Sequence, residues 1–448
     1  MLLVGRALQG VGCAGLLICT KIILADKVTL KENARNSTTF TIVAGIGYGV
    51  GPVVGGYLTQ ASWRWCFIIS IPMGVVGMIL THFLLRSELV GAQKILRTDG
   101  DTTIEIPQTF TSKLSTIDFG GQFLFLFGMG LLVLALTWAG SYYAWHDVKV
   151  LAPLVIAVVL MILFIAWEHF LLPGNILSSR FPLQKPMISI PLLTSRNAGL
   201  LMYINFTTGM AMYAVFYFAN LYFVLVQTLP AGEAGRNLIY YMPGLGFGAY
   251  AAMFACNVWP LQTWFPLFVG TLIEPLGVTL LAVAINRGNL HWVYGMLALT
   301  GVGSGIRFMP GTLHGIGYNR RSISSIVSLM ALAQTLGGTI STTVMLNIFN
   351  NHLHSHQLSF SSNSAESSSS LDSLSSLSAS ARDFFKSTAK DGIVLAFFAI
   401  TAFLWLGLVT MSCIGNVKIG RKGRADELTR GSFVGSWFGK GKRRGEVV

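Results

Sequence analysis

Apolar residues run along this chain in blocks of twenty or more, separated by short polar links. A bilayer core about 30 Å thick is crossed by about 20 apolar residues in a helix. On that measure the pattern predicts eleven spans, near 2–25, 38–59, 65–85, 119–140, 149–171, 197–226, 235–256, 263–285, 291–313, 323–348 and 391–415. The eighth and ninth are the least regular, because they carry Glu274 and Arg307. Composition agrees with the pattern: 53% of the 448 residues are hydrophobic and 11% are charged. A soluble domain carries about 25% charged residues, and so few charges cannot cover a globule of this size. The expected fold class is an all-α polytopic membrane protein.

Charge then orients the spans. Lys and Arg collect in loops that stay in the cytoplasm. The links 26–37, 86–118, 172–196 and 314–322, with the tail 416–448, hold 21 of the 31 Lys and Arg residues, and the opposite set holds 7. The loops 86–118 and 172–196 and the basic tail 416–448 are therefore expected in the cytoplasm, and the N-terminus outside. The net charge of +13 needs no nucleic acid; it is positive-inside asymmetry, with a tail able to touch anionic lipid. The Ser-rich run 359–380, within the external loop 350–390, cannot bury a core. His352, His354 and His356 beside it read as a solvated polar loop, so no metal or cofactor is expected. The five cysteines sit in or beside apolar blocks and read as buried small hydrophobes, with no disulfide framework.

One apolar block is odd. "GIGYGVGPVVGG", residues 45–56, places six glycines and a proline where a helix is needed, although each weakens a helix interior in water. Gly47, Gly51 and Gly55 recur every four residues, which stacks them on one face and lets a second backbone approach closely in lipid. Pro52 frees a carbonyl and bends the helix.

The longer segment "GYGVGPVVGGYLTQASWRWCFIISIPMG" closely resembles the antiporter signature of the major facilitator superfamily, in its fourteen-spanner drug:proton antiporter branch. "GRALQGVGCAG" (5–15) resembles the span that precedes this signature, and "MLALTGVGSGIRFMPGTLHGIG" and "LAQTLGGTISTTVMLNIFNN" resemble the C-terminal half. The resemblance implies the major facilitator fold, with Gly47, Gly51, Pro52, Gly55 and Gly56 at the contact between its two halves. It also implies three further spans before residue 1, so that the chain reads as N-terminally truncated. On that reading 1–85 is the remainder of an N-terminal repeat, 119–171 two linking spans, and 197–415 a six-span C-terminal repeat. Alternating access needs two complete repeats, so residues 1–448 alone are expected not to transport. The link "CNVWPLQTW" (256–264) departs from the family, which leads one to expect a basic Gly-Arg turn there.

Several residues are candidates for transport chemistry. Arg6 and Gln9 lie three apart on one helix face. An intramembrane charge usually faces a cavity or a partner, and snorkelling to the outer interface is the alternative. In the family this Arg is tied to proton coupling. Glu274 lies about 16 Å deep at 1.5 Å per residue, where it could bind and release a proton; bonding a neighbouring helix in neutral form is the plainer role. Tyr203, Phe206, Met210, Tyr213, Tyr217 and Asn220 form a stripe that would suit an amphipathic organic substrate, or helix packing. "MPGLGFG" (242–248) and "GVGSGIRFMPG" (301–311) read as interrupted spans, which mark substrate sites in transporters. Arg307 in the second could meet an anionic substrate or pair across the bundle, with a position near a cytoplasmic span end the plainer reading.

The leading expectation is a secondary transporter exporting a small organic compound, drug or secondary metabolite in exchange for protons. Its partners would be the lipid bilayer, the substrate and protons. It would be a monomer in the plasma membrane, the vacuolar membrane being the alternative. Proton-coupled uptake of a chelate or nutrient and a transport-dead truncated product are the competing readings. No phosphate-binding Gly-Lys-Ser/Thr loop appears. A membrane enzyme would need a catalytic polar cluster; the nearest is Glu168–His169, adjacent residues on different helix sides, and no catalytic residue is expected.

Overall fold

The computed structural model describes residues 2–25, 28–85, 95–99, 102–106, 114–139, 143–172, 194–319, 322–356, 379–420, 427–429, 431–433 and 445–447, with 174, 175, 180, 181, 184, 186–188 and 192 between. Long helices dominate. They are α1 (Leu2–Ala25), α2 (Leu30–Ala61), the short α3 (Trp65–Ile68), α4 (Ser70–Leu80), α5 (Phe119–Trp138), α6 (Val148–Phe170), α7 (Arg196–Ala214), α8 (Ala231–Asn237), α9 (Tyr241–Asn257), α10 (Trp264–Arg287), α11 (Leu290–Tyr318), α12 (Ile323–Ser355) and α13 (Ala379–Ser412). Among the described residues, ten helices are long and apolar enough to cross a membrane. The ninth predicted span is also helical, as α11, but its glycines and Arg307 keep it outside that set. The protein is an all-α, multi-pass integral membrane protein.

Several predicted boundaries move. The link 26–37 is mostly helix, because α2 starts at Leu30 with a reciprocal cap: Thr29 N donates to Glu32 Oε2 (2.9 Å) and Glu32 N to Thr29 Oγ1 (3.3 Å). That Thr-x-x-Glu box satisfies two orphan amides of the first turn. The loop 86–118 contains an antiparallel pair, β1 (Ile95–Asp99) with β2 (Thr102–Ile106). His352 and His354 belong to α12 and not to a loop. The Ser-rich run 359–380 lies outside the described residues except for its last two. Of the five cysteines only Cys256 is buried, and Cys13, Cys19 and Cys413 are exposed. In a bilayer an exposed thiol on a span meets lipid, so burial was not required.

The chain divides into two compact units, residues 1–57 with 193–448, and residues 58–192. In the first, a core of Phe218, Tyr222, Phe223, Leu281, Phe349 and Phe397 is fully buried among α7, α10, α12 and α13. Lipid supplies no hydrophobic drive between helices, so close backbone approach must hold them. Glycines provide it reciprocally. Gly244 and Gly248 of α9 lie against the carbonyls of Ala298 and Val302 in α11, and Gly301 and Gly305 of α11 against those of Tyr241 and Leu245. The supposed interruptions at 242–248 and 301–311 are thus continuous helix whose glycines face each other. In the second unit, α5 packs along α6.

The uncharged link 256–264 is fastened by the segment after α13. Strand β3 (Asn416–Lys418) runs beside it: Thr263 N donates to Val417 O (3.0 Å) and Ile419 N to Leu261 O (2.8 Å). Asn416, fully buried, donates to Gln262 Oε1 (2.7 Å) and accepts from Trp264 N (3.3 Å). Backbone pairing holds this link, which lacks the basic turn that the resemblance leads one to expect. Asn416→Ala removes both bonds from a buried position, and is expected to cost about 1–3 kcal/mol. A lowered unfolding midpoint of the purified protein in detergent checks this; an unchanged midpoint would mean that the link holds without the tail.

Candidate functional site: a buried ion pair joining three helices

Glu274 of α10 and Arg307 of α11 are both fully buried and form an ion pair through Glu274 Oε2 and Arg307 Nη1. Ser304 Oγ, one turn before Arg307, donates to Glu274 Oε1 at 2.5 Å. Arg307 Nη2 donates to the Ile204 carbonyl and to Thr207 Oγ1 (2.7 Å), both on α7. Space for the two side chains comes from glycine on the facing helix. A Cβ at Gly303 would collide with Glu274, and one at Gly270 would stand 2.6 Å from Arg307 Cγ.

Burying two charges costs several kcal/mol per ion unless geometry and further hydrogen bonds offset it. Here the carboxylate has a bond to each oxygen, while Arg307 Nε is buried without a partner. Protonating Glu274 removes the carboxylate that offsets the guanidinium and leaves Arg307 held by neutral acceptors alone.

The structure brings Glu274 and Arg307 together, where the sequence had presented them as separate. Arg307 is not near a span end: it lies well inside α11. Ser304 was legible, three residues away on the same face; Thr207 gave no local signal. Arg6 and Gln9 are exposed on α1 and bonded to each other, Arg6 Nη1 to Gln9 Oε1 at 3.0 Å. The aromatic stripe divides. Tyr203 donates to the Phe403 carbonyl (3.0 Å), Met210 is buried in the core, and Tyr213 and Tyr217 are exposed. Asn220 is half-buried. π-helical turns at Val215–Ala219 and Tyr222–Val226 follow α7 and interrupt the 3.6-residue period on which the stripe was drawn.

The glycine face needs correcting. A Cβ at Gly47, Gly51 or Gly55 meets no described atom within 4 Å. The packed face is the opposite one. A Cβ at Gly45 would stand 2.9 Å from Leu245, one at Gly49 2.6 Å from Met242, and one at Gly56 2.5 Å from the Ala231 carbonyl. Gly235 of α8 in turn lies against the Pro52 carbonyl. Two residues along a helix turn it by about 200°, so glycines at 45, 49 and 56 and at 47, 51 and 55 line opposite sides.

A family model described as the Major Facilitator Superfamily matches residues 1–342. The chain belongs to the Major Facilitator Superfamily. It is similar to the MFS-type transporter gkaD of Penicillium citrinum, 29% identical over 309 residues, which cover 67% of this chain and 48% of that protein. It is similar also to the rubrofusarin-specific efflux pump aurT of Gibberella zeae, 26% identical over 366 residues, covering 80% and 61%. Among solved structures, the chain is similar to that of a bacterial homolog of the human lysosomal transporter Spinster, inward-facing and occupied. Identity to it is 13% and the TM-score 0.41, over 89% of this chain and 84% of that one. The chain spans about half the length of the first curated relatives it matches.

Proposed function

We propose that this chain acts in a secondary transporter of the plasma membrane that exports a small organic compound in exchange for protons, with Glu274 as the proton-coupling residue. The observation that carries the reading is the buried Glu274–Arg307 pair, tied to a third helix through Ile204 and Thr207. A proton on Glu274 competes with Arg307 for the same carboxylate. Proton arrival loosens α10 from α11, and proton release draws them together, so a gradient acts on helix packing. The relatives named as efflux pumps support the direction of transport, and the Lys/Arg bias supports a cytoplasmic tail. Arg6, whose counterpart in the resembling family is tied to proton coupling, is proposed to assist, with Gln9 beside it. Tyr213 and Tyr217, aromatic and exposed, would offer an amphipathic substrate stacking surfaces, with Tyr203 and Asn220 on the same stretch of chain; Arg307, fully buried and bonded to Glu274, Ile204 and Thr207, is not proposed to meet substrate.

Reconstitution of the 448-residue chain in liposomes tests this with ethidium as an amphipathic probe; wild-type flux above that of protein-free liposomes would overturn the expectation that residues 1–448 alone do not transport. In Glu274→Gln, flux driven by a pH gradient is expected to fall at least about tenfold. Ethidium counterflow, which needs no net proton movement, is expected to persist. A variant whose flux keeps the wild-type dependence on the pH gradient would overturn the role of Glu274.

A further inference from the structure

A second pair of buried acids lies in the unit 58–192, where the N-terminal end of α5 meets the C-terminal end of α6. Asp118 caps α5 and Glu168 sits in the last turn of α6; they are 3% and 1% exposed. Asp118 Oδ1 accepts three bonds, from Gly121 N (2.9 Å), Trp167 Nε1 (2.9 Å) and Gln184 Nε2 (2.9 Å). Glu168 Oε1 accepts two, from the backbone amides of Met187 (3.1 Å) and Ile188 (3.4 Å). The remaining oxygens, Asp118 Oδ2 and Glu168 Oε2, are both buried with no donor.

The two carboxyl groups converge on one point beside α5. They share the space over Gly121, where a Cβ would touch Asp118 Oδ2 and stand 3.1 Å from Glu168 Oε1. Helix α5 carries no other charged residue, and α6 adds only Lys149, at its opposite end, and His169, next to Glu168 in the chain. The 184–188 stretch adds Lys185. Among the described residues no cation pairs with either acid.

Two neighbouring carboxylates shut off from water resist both being ionised. Two acceptors without a donor and one missing proton form a single deficit. We propose that Asp118 and Glu168 bind one proton between them, a Glu168 carboxyl O–H donating to Asp118 Oδ2, and that this proton fastens Gln184, Met187 and Ile188 to the α5–α6 hairpin. The hydrogen is placed on Glu168 because Asp118 Oδ1 already accepts three bonds. An O–H···O⁻ bond is short and strong. Losing the proton puts two like charges in contact, which drives Glu168 away from Asp118 and with it the amides of Met187 and Ile188. On the positive-inside reading this end of the hairpin faces the cytoplasm, so the site would sense cytoplasmic pH. Glu274 lies in the other unit.

The test uses the purified 448-residue protein in detergent. Infrared spectra are expected to contain a protonated-carboxyl stretch that shifts in D2O and is lost in Glu168→Gln and in Asp118→Asn, each of which supplies an amide donor in place of the proton. Hydrogen exchange of residues 184–188, corrected for the intrinsic pH dependence, is expected to quicken at least about tenfold from acid to alkaline pH in the wild type. It is expected to stay constant in Glu168→Gln. A band unchanged in both variants, or a pH response in Glu168→Gln equal to that of the wild type, would overturn the proposal. Restoration of alkaline protection by added Na⁺ would also overturn it, by making the pair a metal-cation site.

Discussion

Arg307→Met is expected to destabilise the protein by about 3–5 kcal/mol, the usual cost of stripping one partner from a buried ion pair. The reason lies in what stays behind. Glu274 is fully buried in α10, and its one remaining donor would be Ser304. A carboxylate so placed must take a proton or draw in water, and either loosens α10 from α11. The loss extends to α7, because Arg307 Nη2 supplies the bonds to Ile204 and Thr207. Methionine is shorter than arginine but similar in volume and flexible enough to fill much of the gap, so the effect reports mainly lost charge and hydrogen bonds. Glu274→Met with Arg307→Met together should recover most of the loss, since well-packed apolar residues of similar size often replace a buried pair without penalty. Unfolding midpoints of the four proteins form a double-mutant cycle. A coupling energy near zero would mean that the two charges are not paired.

The same pair shows what a sequence carries and what it does not. Helix existence was plain from the blocks of apolar residues, because lipid demands that each span satisfy its own backbone. Helix starts were less plain: α2 begins where Thr29 and Glu32 cap it, among polar residues that a hydropathy reading assigns to a loop. Glu274 and Arg307 each stood out as a charge in an apolar run. Their partnership did not, since residues 33 apart meet only once α10 and α11 are packed. Glycines gave the most misleading signal. In α9 and α11 they read as breaks, but they are the surface on which two unbroken helices meet. Small residues both weaken a helix and permit close packing, and the chain alone does not say which effect rules. The carboxyl pair of Asp118 and Glu168 was hidden for the same reason as the ion pair: the two lie about fifty residues apart, and Glu168 read only as the neighbour of His169.

Glycine also supplies the second large effect, along the single helix α2. Gly56→Leu is expected to cost about 1–3 kcal/mol, the range for overpacking a tight contact. The obstacle to the new side chain is backbone: the Ala231 carbonyl 2.5 Å from a Cβ, then Gly232 Cα at 2.9 Å. Backbone cannot rotate away as a side chain does. Relief therefore means moving α8 off α2, which also parts Gly235 from the Pro52 carbonyl. Gly51→Leu makes the same chemical change on the same helix and adds the same hydrophobicity, yet a Cβ there meets no described atom within 4 Å. Its cost is expected to stay within about 0.5 kcal/mol, as for substitutions away from packed features. Both variants should insert into membranes at the wild-type level, because neither lowers the hydropathy of the span. Comparing unfolding midpoints of the two purified proteins isolates packing from propensity, since Leu is the better helix former at either site. Equal midpoints would show that the face of α2 carrying Gly45, Gly49 and Gly56 is not the one that bears the contact.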